Sequence, residues 1–163
     1  MDNQPVYTAF FSSPIGFIRL QEENNQLVSA SFRDGAEELH TNETPLLKQA
    51  VKQLEEYFKG QRKVFDLPLH PSGTTFQKEV WNELQKIPCS DTITYLQLAK
   101  RLGNIKSIRA AASANGKNPL AIIIPCHRVI GAGGKLTGYA GGLHRKQWLL
   151  EHESRMNGQA LLF

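Results

Sequence analysis

The sequence predicts an α/β (α+β) protein in two small parts. A short antiparallel sheet with one helix comes first, and a mostly helical part containing a helix-turn-helix follows. Three observations carry this prediction. Apolar and polar residues alternate with period two as far as Phe32. From Thr44 onward the apolar spacing changes to three and four. Beyond the first helical segment, His70-Pro71-Ser72-Gly73 is pure turn chemistry and marks a linker. The expected domains are therefore residues 1–70 and 74–163. A chain of 163 residues with 40% hydrophobic and 21% charged residues is long and apolar enough for two small folded parts.

Val6 to Phe11 is rich in β-branched and aromatic residues and ends at the turn cluster Ser12-Ser13-Pro14. Gly16 to Leu20 alternates again, Glu22 to Gln26 is polar, and Leu27 to Phe32 alternates once more. This is the pattern of a meander with one apolar face. Thr44 can cap a helix whose first turn takes Pro45. Leu47, Ala50, Val51, Leu54, Tyr57 and Phe58 line one side, and Gly60 stops it. Lys63 to Leu69 reads as a further short strand. In the second part, Phe76, Val80, Trp81, Leu84 and Ile87 have helical spacing up to Pro88. Thr94-Tyr95-Leu96-Gln97 is a capping-box pattern ahead of Leu98, Ala99 and Leu102, and Gly103 ends that helix. Ser107 can cap the next, Ile108 to Asn115. A glycine-rich loop from Gly131 to Gly142 precedes a last amphipathic helix from about Leu143 to Glu153.

Two short helices with a glycine turn between them, Thr94 to Asn115, form a helix-turn-helix candidate. Arg109 lies in the first turn of the second helix, followed by Ala110, Ala111, Ala112, Ser113 and Ala114. So small a face lets a backbone come close. The alternative is an alanine-rich packing helix with one arginine in solvent. The net charge of +4 agrees with a nucleic-acid partner, although such a surplus is usually only solvated surface. Asp2, Pro14 and Gly16 exclude a signal peptide or a membrane span at the N-terminus. Two separated cysteines, Cys89 and Cys126, make no disulfide framework and suit a reducing cytoplasm, or a nucleus in a eukaryote. No Cys/His spacing resembles a zinc site, and no metal or cofactor is expected.

The segment Ile122-Ile123-Ile124-Pro125-Cys126-His127-Arg128-Val129-Ile130 breaks an apolar run with a thiol beside two basic groups. Cys126 has three readings: a small core residue, a metal ligand without visible partners, or a nucleophile. The thiolate is the reactive form, and nearby positive charge favours it. His127 could move the proton through a water or a turn, with Glu153 or Glu151 orienting the imidazole.

Several ordered motifs between Phe76 and Glu153 resemble those of the O6-alkylguanine-DNA alkyltransferases. They are Ile93-Thr94-Tyr95, Arg109, Asn118-Pro119, the Pro-Cys-His-Arg-Val-Ile segment, Gly138-Tyr139-Ala140-Gly141-Gly142, and Trp148-Leu149-Leu150 with His152-Glu153. The resemblance implies irreversible, single-use transfer of an alkyl group from O6 of guanine in double-stranded DNA to Cys126. His127 and Glu153 would relay the thiol proton, and Tyr95 would serve the departing guanine. Asn118 would fix the turn that carries the cysteine. The Val129 backbone would read the guanine edge, and Tyr139 and Ala140 would wall the alkyl pocket. The helix-turn-helix would enter the minor groove, with Arg109 filling the place of a flipped base. Ser107, Ala110, Ser113 and Ala114 would lie beside it, and Arg128 would add a basic contact. A monomer is expected, with cooperative binding on DNA left open.

Ala111-Ala112 stands where Val-Gly is frequent in that family, and Ala140 where some relatives have serine. The ligands of the zinc site found in some relatives are absent. Cys89, His40, His70 and His144 are expected to be surface or packing residues. A lesion-binding protein without chemistry would lack Cys126. A regulator that senses alkylation would need a further DNA-binding segment. A cysteine hydrolase would turn over on esters.

Overall fold

A computed structural model describes residues 5–34 and 41–158. His40 lies outside the described residues. By its contacts the chain divides into two compact units, Met1–Ser72 with Pro119–Ile123, and Gly73–Asn118 with Ile124–Phe163.

In the first unit, β1 (Val6–Ser13), β2 (Gly16–Glu23) and β3 (Gln26–Arg33) form an antiparallel sheet in the order β1-β2-β3. Two-residue loops join them. In the second loop Asn24 and Asn25 both have positive φ, 55° and 61°, the twist a tight hairpin needs and one that asparagine tolerates. Alternation puts Ala9, Ile18, Leu20, Leu27 and Ala30 into the core. The helix α1 (Pro45–Phe58) adds Leu47, Ala50, Leu54 and Tyr57. Thr44 caps it through the Leu47 amide, as its sequence predicts, and Gly60 ends the turn at φ 77°.

The strand expected over Lys63 to Leu69 does not form. Only Leu69 makes a bridge, to Leu27. The segment before it is held from the side, because Gln53 donates to the Asp66 carbonyl and accepts from the Asp66 amide, at 3.0 and 2.9 Å. A side chain thus satisfies backbone groups that a ladder would otherwise have paired.

In the second unit, α2 (Thr75–Leu84) opens with a capping box between Thr74 and Gln77. Trp81 donates its indole N–H to the Ala114 carbonyl at 2.8 Å. A side chain at Gly73 would meet the Trp81 ring at 2.5 Å, so this linker glycine is required by close approach. The two-residue strand β4 (Ile93–Thr94) runs into α3 (Tyr95–Arg101), where the predicted capping box of Thr94 and Gln97 is present. Gly103 turns the chain at φ 88°. Before α4 (Ile108–Gly116), a 3-10 turn, Ile105–Ser107, is capped by Asn104, whose side chain accepts from the Lys106 amide. Ser107 therefore does not cap α4. Its hydroxyl donates to the Asn104 carbonyl instead. The strand β5 (Val129–Ile130) pairs in parallel with β4, and α5 (Leu143–Met156) follows the glycine-rich loop. Among the described residues no helix is long and apolar enough to cross a membrane.

Candidate active site

The cysteine segment is neither strand nor ordinary helix. Ile122 has φ 72°, and the Ile123 amide donates to the Ala121 carbonyl at 2.8 Å, so the chain makes a tight γ-turn. Positive φ in a β-branched residue is strained. Pro125, at φ −82° and ψ 64°, makes a second and relaxed γ-turn, closed from the Cys126 amide to the Ile124 carbonyl at 2.8 Å. Proline supplies that φ without cost. Cys126, His127 and Arg128 then form one 3-10 turn. Asn118 clamps the bend by donating to the Ile124 carbonyl at 2.7 Å, and Asn115 donates to the Cys126 carbonyl at 3.3 Å.

Cys126 is 7% exposed. His127 and Glu153 are fully buried and 2.7 Å apart, Nε2 to Oε2. Arg128 holds the same carboxylate through Nε at 2.8 Å and a terminal nitrogen at 3.1 Å, and also donates to the Ile87 carbonyl at 2.7 Å. The Ser90 amide approaches Oε1 at 3.4 Å. Burial alone would push the Glu153 carboxyl up, but contacts with His127 and Arg128 outweigh it and hold the group well below the usual carboxylate range. Burial pushes His127 below its ordinary value, only partly offset by Glu153. Burial thus favours the neutral imidazole, and Arg128 is the permanent cation beside the carboxylate. Nε2 carries the proton given to Glu153, which leaves Nδ1 as a bare acceptor.

This geometry corrects the sequence expectation in three places. Neither basic neighbour is turned to the sulfur as a free charge, since His127 and Arg128 are both bonded to Glu153. Burial pushes the Cys126 thiol up, partly offset by a hydrogen bond from Asn118 and by the charge of Lys146, so the resting group is a thiol. Arg128 is 6% exposed inside this ion pair and offers no surface charge for the DNA contact expected of it. Ala114, also expected to meet DNA, is off the exposed side of α4, being 3% exposed with its carbonyl bonded to Trp81. The exposed side of α4 presents Arg109, Ala110 and Ser113, and Ser107 is half-buried.

Lys146 is the residue that the sequence reading missed. It is fully buried, and its Nζ donates to the Val129 and Thr137 carbonyls, each at 2.7 Å. Burial lowers its pKa to about 8, offset in part by attraction to Cys126. A signal existed. Lys146, Leu149, Leu150 and Glu153 share one helical face, so two charges end an apolar stripe. The Tyr95 hydroxyl donates to the Thr137 carbonyl at 3.3 Å, and Nζ of Lys146 lies 6.0 Å from its ring centre. Burial pushes the Tyr139 phenol well up, and negative charge on Cys126 would add to this. Ala140 is exposed beside it. Val129 is fully buried. Its amide donates to the Cys126 carbonyl and its carbonyl accepts from Lys146. Glu151 accepts from Gln147 on the outside of α5 and takes no part. Cys89 is half-buried, His70 and His144 are exposed, and His152 stacks on Trp148 at 4.9 Å.

A buried thiol followed by a histidine bonded to a buried glutamate, in one unit with a helix-turn-helix, is the combination expected of a DNA-directed protein with an acceptor cysteine. The family description "6-O-methylguanine DNA methyltransferase, DNA binding domain" matches residues 75–155, and that family's ribonuclease-like domain matches residues 6–71. The chain belongs to the methylated-DNA–protein-cysteine methyltransferase family. A relative of that name from Methanosarcina acetivorans is 48% identical over 91% of this chain and 98% of its own. The crystal structure of Mycobacterium tuberculosis O6-methylguanine methyltransferase superposes with a TM-score of 0.84 at 40% identity, covering 98% and 97% of the two chains. The M. tuberculosis OGT in complex with DNA gives 0.83 at 42% identity, covering 91% and 93%.

Proposed function

We propose that this protein repairs DNA by direct reversal, taking the alkyl group of O6-alkylguanine onto Cys126, once per molecule. Family membership carries the reaction class. The buried line Cys126–His127–Glu153 is the observation that supports the choice of sulfur. A saturated carbon is best attacked by a soft nucleophile. The thioether so formed resists water, so no second step frees the thiol. His127 is suited to take the thiol proton because Nδ1 is bare while Nε2 is held by a carboxylate that stays charged. Lys146 opposes the burial cost of the thiolate as it forms.

Residues 74–163 carry DNA binding and alkyl acceptance in this reading. The protein acts as a monomer on double-stranded DNA, in a cytoplasm that keeps its thiols reduced. The exposed stripe of Arg109, Ala110 and Ser113 enters the minor groove, with Ser107 at its edge, and Arg109 fills the gap left by the flipped base. Tyr95 serves the leaving guanine, while Tyr139, Ala140 and the Val129 carbonyl border the pocket. Flipping costs a few kcal/mol, less at a weakened pair, which favours damaged sites.

Intact-protein mass after mixing with a duplex holding O6-methylguanine tests the acceptor. Wild type gains one methyl group on Cys126, and Cys126→Ala gains none while still binding the duplex. A methyl group on any other residue refutes the assignment. Arg109→Ala should slow reaction with a paired lesion more than reaction with the free modified base. Equal losses on the two substrates would remove Arg109 from base flipping.

A further inference from the structure

Asn115 lies on the inner side of α4, 3% exposed. Its Nδ2 donates to the Cys126 carbonyl, and this bond fixes the amide, because a carbonyl can accept only from the NH2 end. Oδ1 is thereby left buried without a hydrogen-bond partner among the described residues, and so is Nδ1 of His127. Both orphaned atoms are acceptors. One belongs to a side chain bonded to the Cys126 backbone, and the other belongs to the next residue. Leaving a buried polar atom unpaired is costly, and two such acceptors beside one peptide match a double donor. Water is the smallest double donor, and its oxygen can also accept.

We infer that Asn115 is a positioning residue for the proton transfer. Its Oδ1 and the Nδ1 of His127 hold the two hydrogens of one water, which turns that water's lone pair toward the Cys126 thiol. This rests on Cys126 being the alkyl acceptor. The S–H proton passes to the water oxygen as the water passes one of its own to Nδ1, giving an imidazolium against Glu153. The sulfur electron pair forms the S–C bond while the C–O6 bond breaks. That bonding pair leaves with guanine, which takes up a proton from solvent, and the imidazolium later returns one. Without Asn115 the water keeps one anchor and loses its orientation.

Single-turnover methyl transfer from an O6-methylguanine duplex, followed by protein mass from pH 6 to 10, tests this in wild type, Asn115→Leu and Asn115→Thr. At pH 7 Asn115→Leu should be slower by about tenfold, a part of the 10²–10⁴ that general-base catalysis supplies. The deficit should shrink as pH rises and the thiol ionises without the relay. Asn115→Thr, whose hydroxyl can accept from the water, should recover much of the rate, and duplex affinity should stay unchanged in both. Wild-type rates in Asn115→Leu at every pH overturn the inference. So does a loss that is the same at every pH or is shared by Asn115→Thr, which would mean packing alone. If wild type itself methylates no cysteine, the reading of Cys126 fails first and takes this inference with it.

Discussion

Around Leu20, Leu47 and Leu54 the first unit buries hydrocarbon, and its buried polar residues among those described are Glu22 and Gln53. The second unit buries Asn115, His127, Arg128, Arg145, Lys146, His152, Glu153 and Ser154. A buried ion pair seldom adds stability over an apolar pair of the same size, because both charges lose their water. The first unit is therefore organised for packing. The second gives up packing energy to hold His127, Arg128 and Glu153 bonded together and out of water.

Glu153→Gln should separate the units most sharply. It weakens the tie to His127 and leaves Arg128 buried beside a neutral amide. Transfer should fall by about 100-fold, as expected for loss of an oriented base. Removing one partner of a buried pair costs about 3–5 kcal/mol, so the thermal midpoint should drop as well. An unchanged transfer rate would take Glu153 out of the relay. The pair also sets a pH limit. Its stabilisation is complete above the ordinary carboxylate range, falls progressively as pH drops below that range, and is gone once acid has titrated Glu153 through its depressed value.

Leu54→Ala should show the opposite signature. The cavity should cost about 2–5 kcal/mol, with transfer unchanged at temperatures where the protein stays folded. A slowed transfer there would show that the chemistry depends on the first unit's packing. Lys146→Met should have the smallest effect, because it removes a charge that only assists. The Cys126 thiol should then titrate higher, and iodoacetamide should label it more slowly near neutral pH. The gap from wild type should close as pH rises past about 8, where Lys146 loses its own charge. A constant gap at all pH values would assign Lys146 to packing.

The local sequence wrote its elements clearly wherever one short-range rule was enough. Thr44-Pro45 and Thr94-Tyr95-Leu96-Gln97 cap helices wherever they stand, and the three alternating runs pair as a meander. Lys63 to Leu69 misled because Gln53, a helix residue distant in the chain, took the backbone groups that a neighbouring strand would have used. Ser107 misled because the capping bond went to Asn104, three residues earlier. In the site, Cys126, His127 and Glu153 were legible as chemistry. The duty of Arg128 was not, since its charge reads as a DNA contact until Glu153 is seen beside it.

The sequence alone determined the residue types, the helix starts and stops, and the motifs that mark the family. Those features depend on neighbours a few bonds away. The tertiary structure decided which charges meet. It made Arg128 a clamp, placed Lys146 near the sulfur, buried Ala114, and left Oδ1 of Asn115 and Nδ1 of His127 without partners among the described residues. The energy of a charge or a polar atom depends on its solvent exposure and on what lies within a few ångströms, and only the folded chain sets those distances.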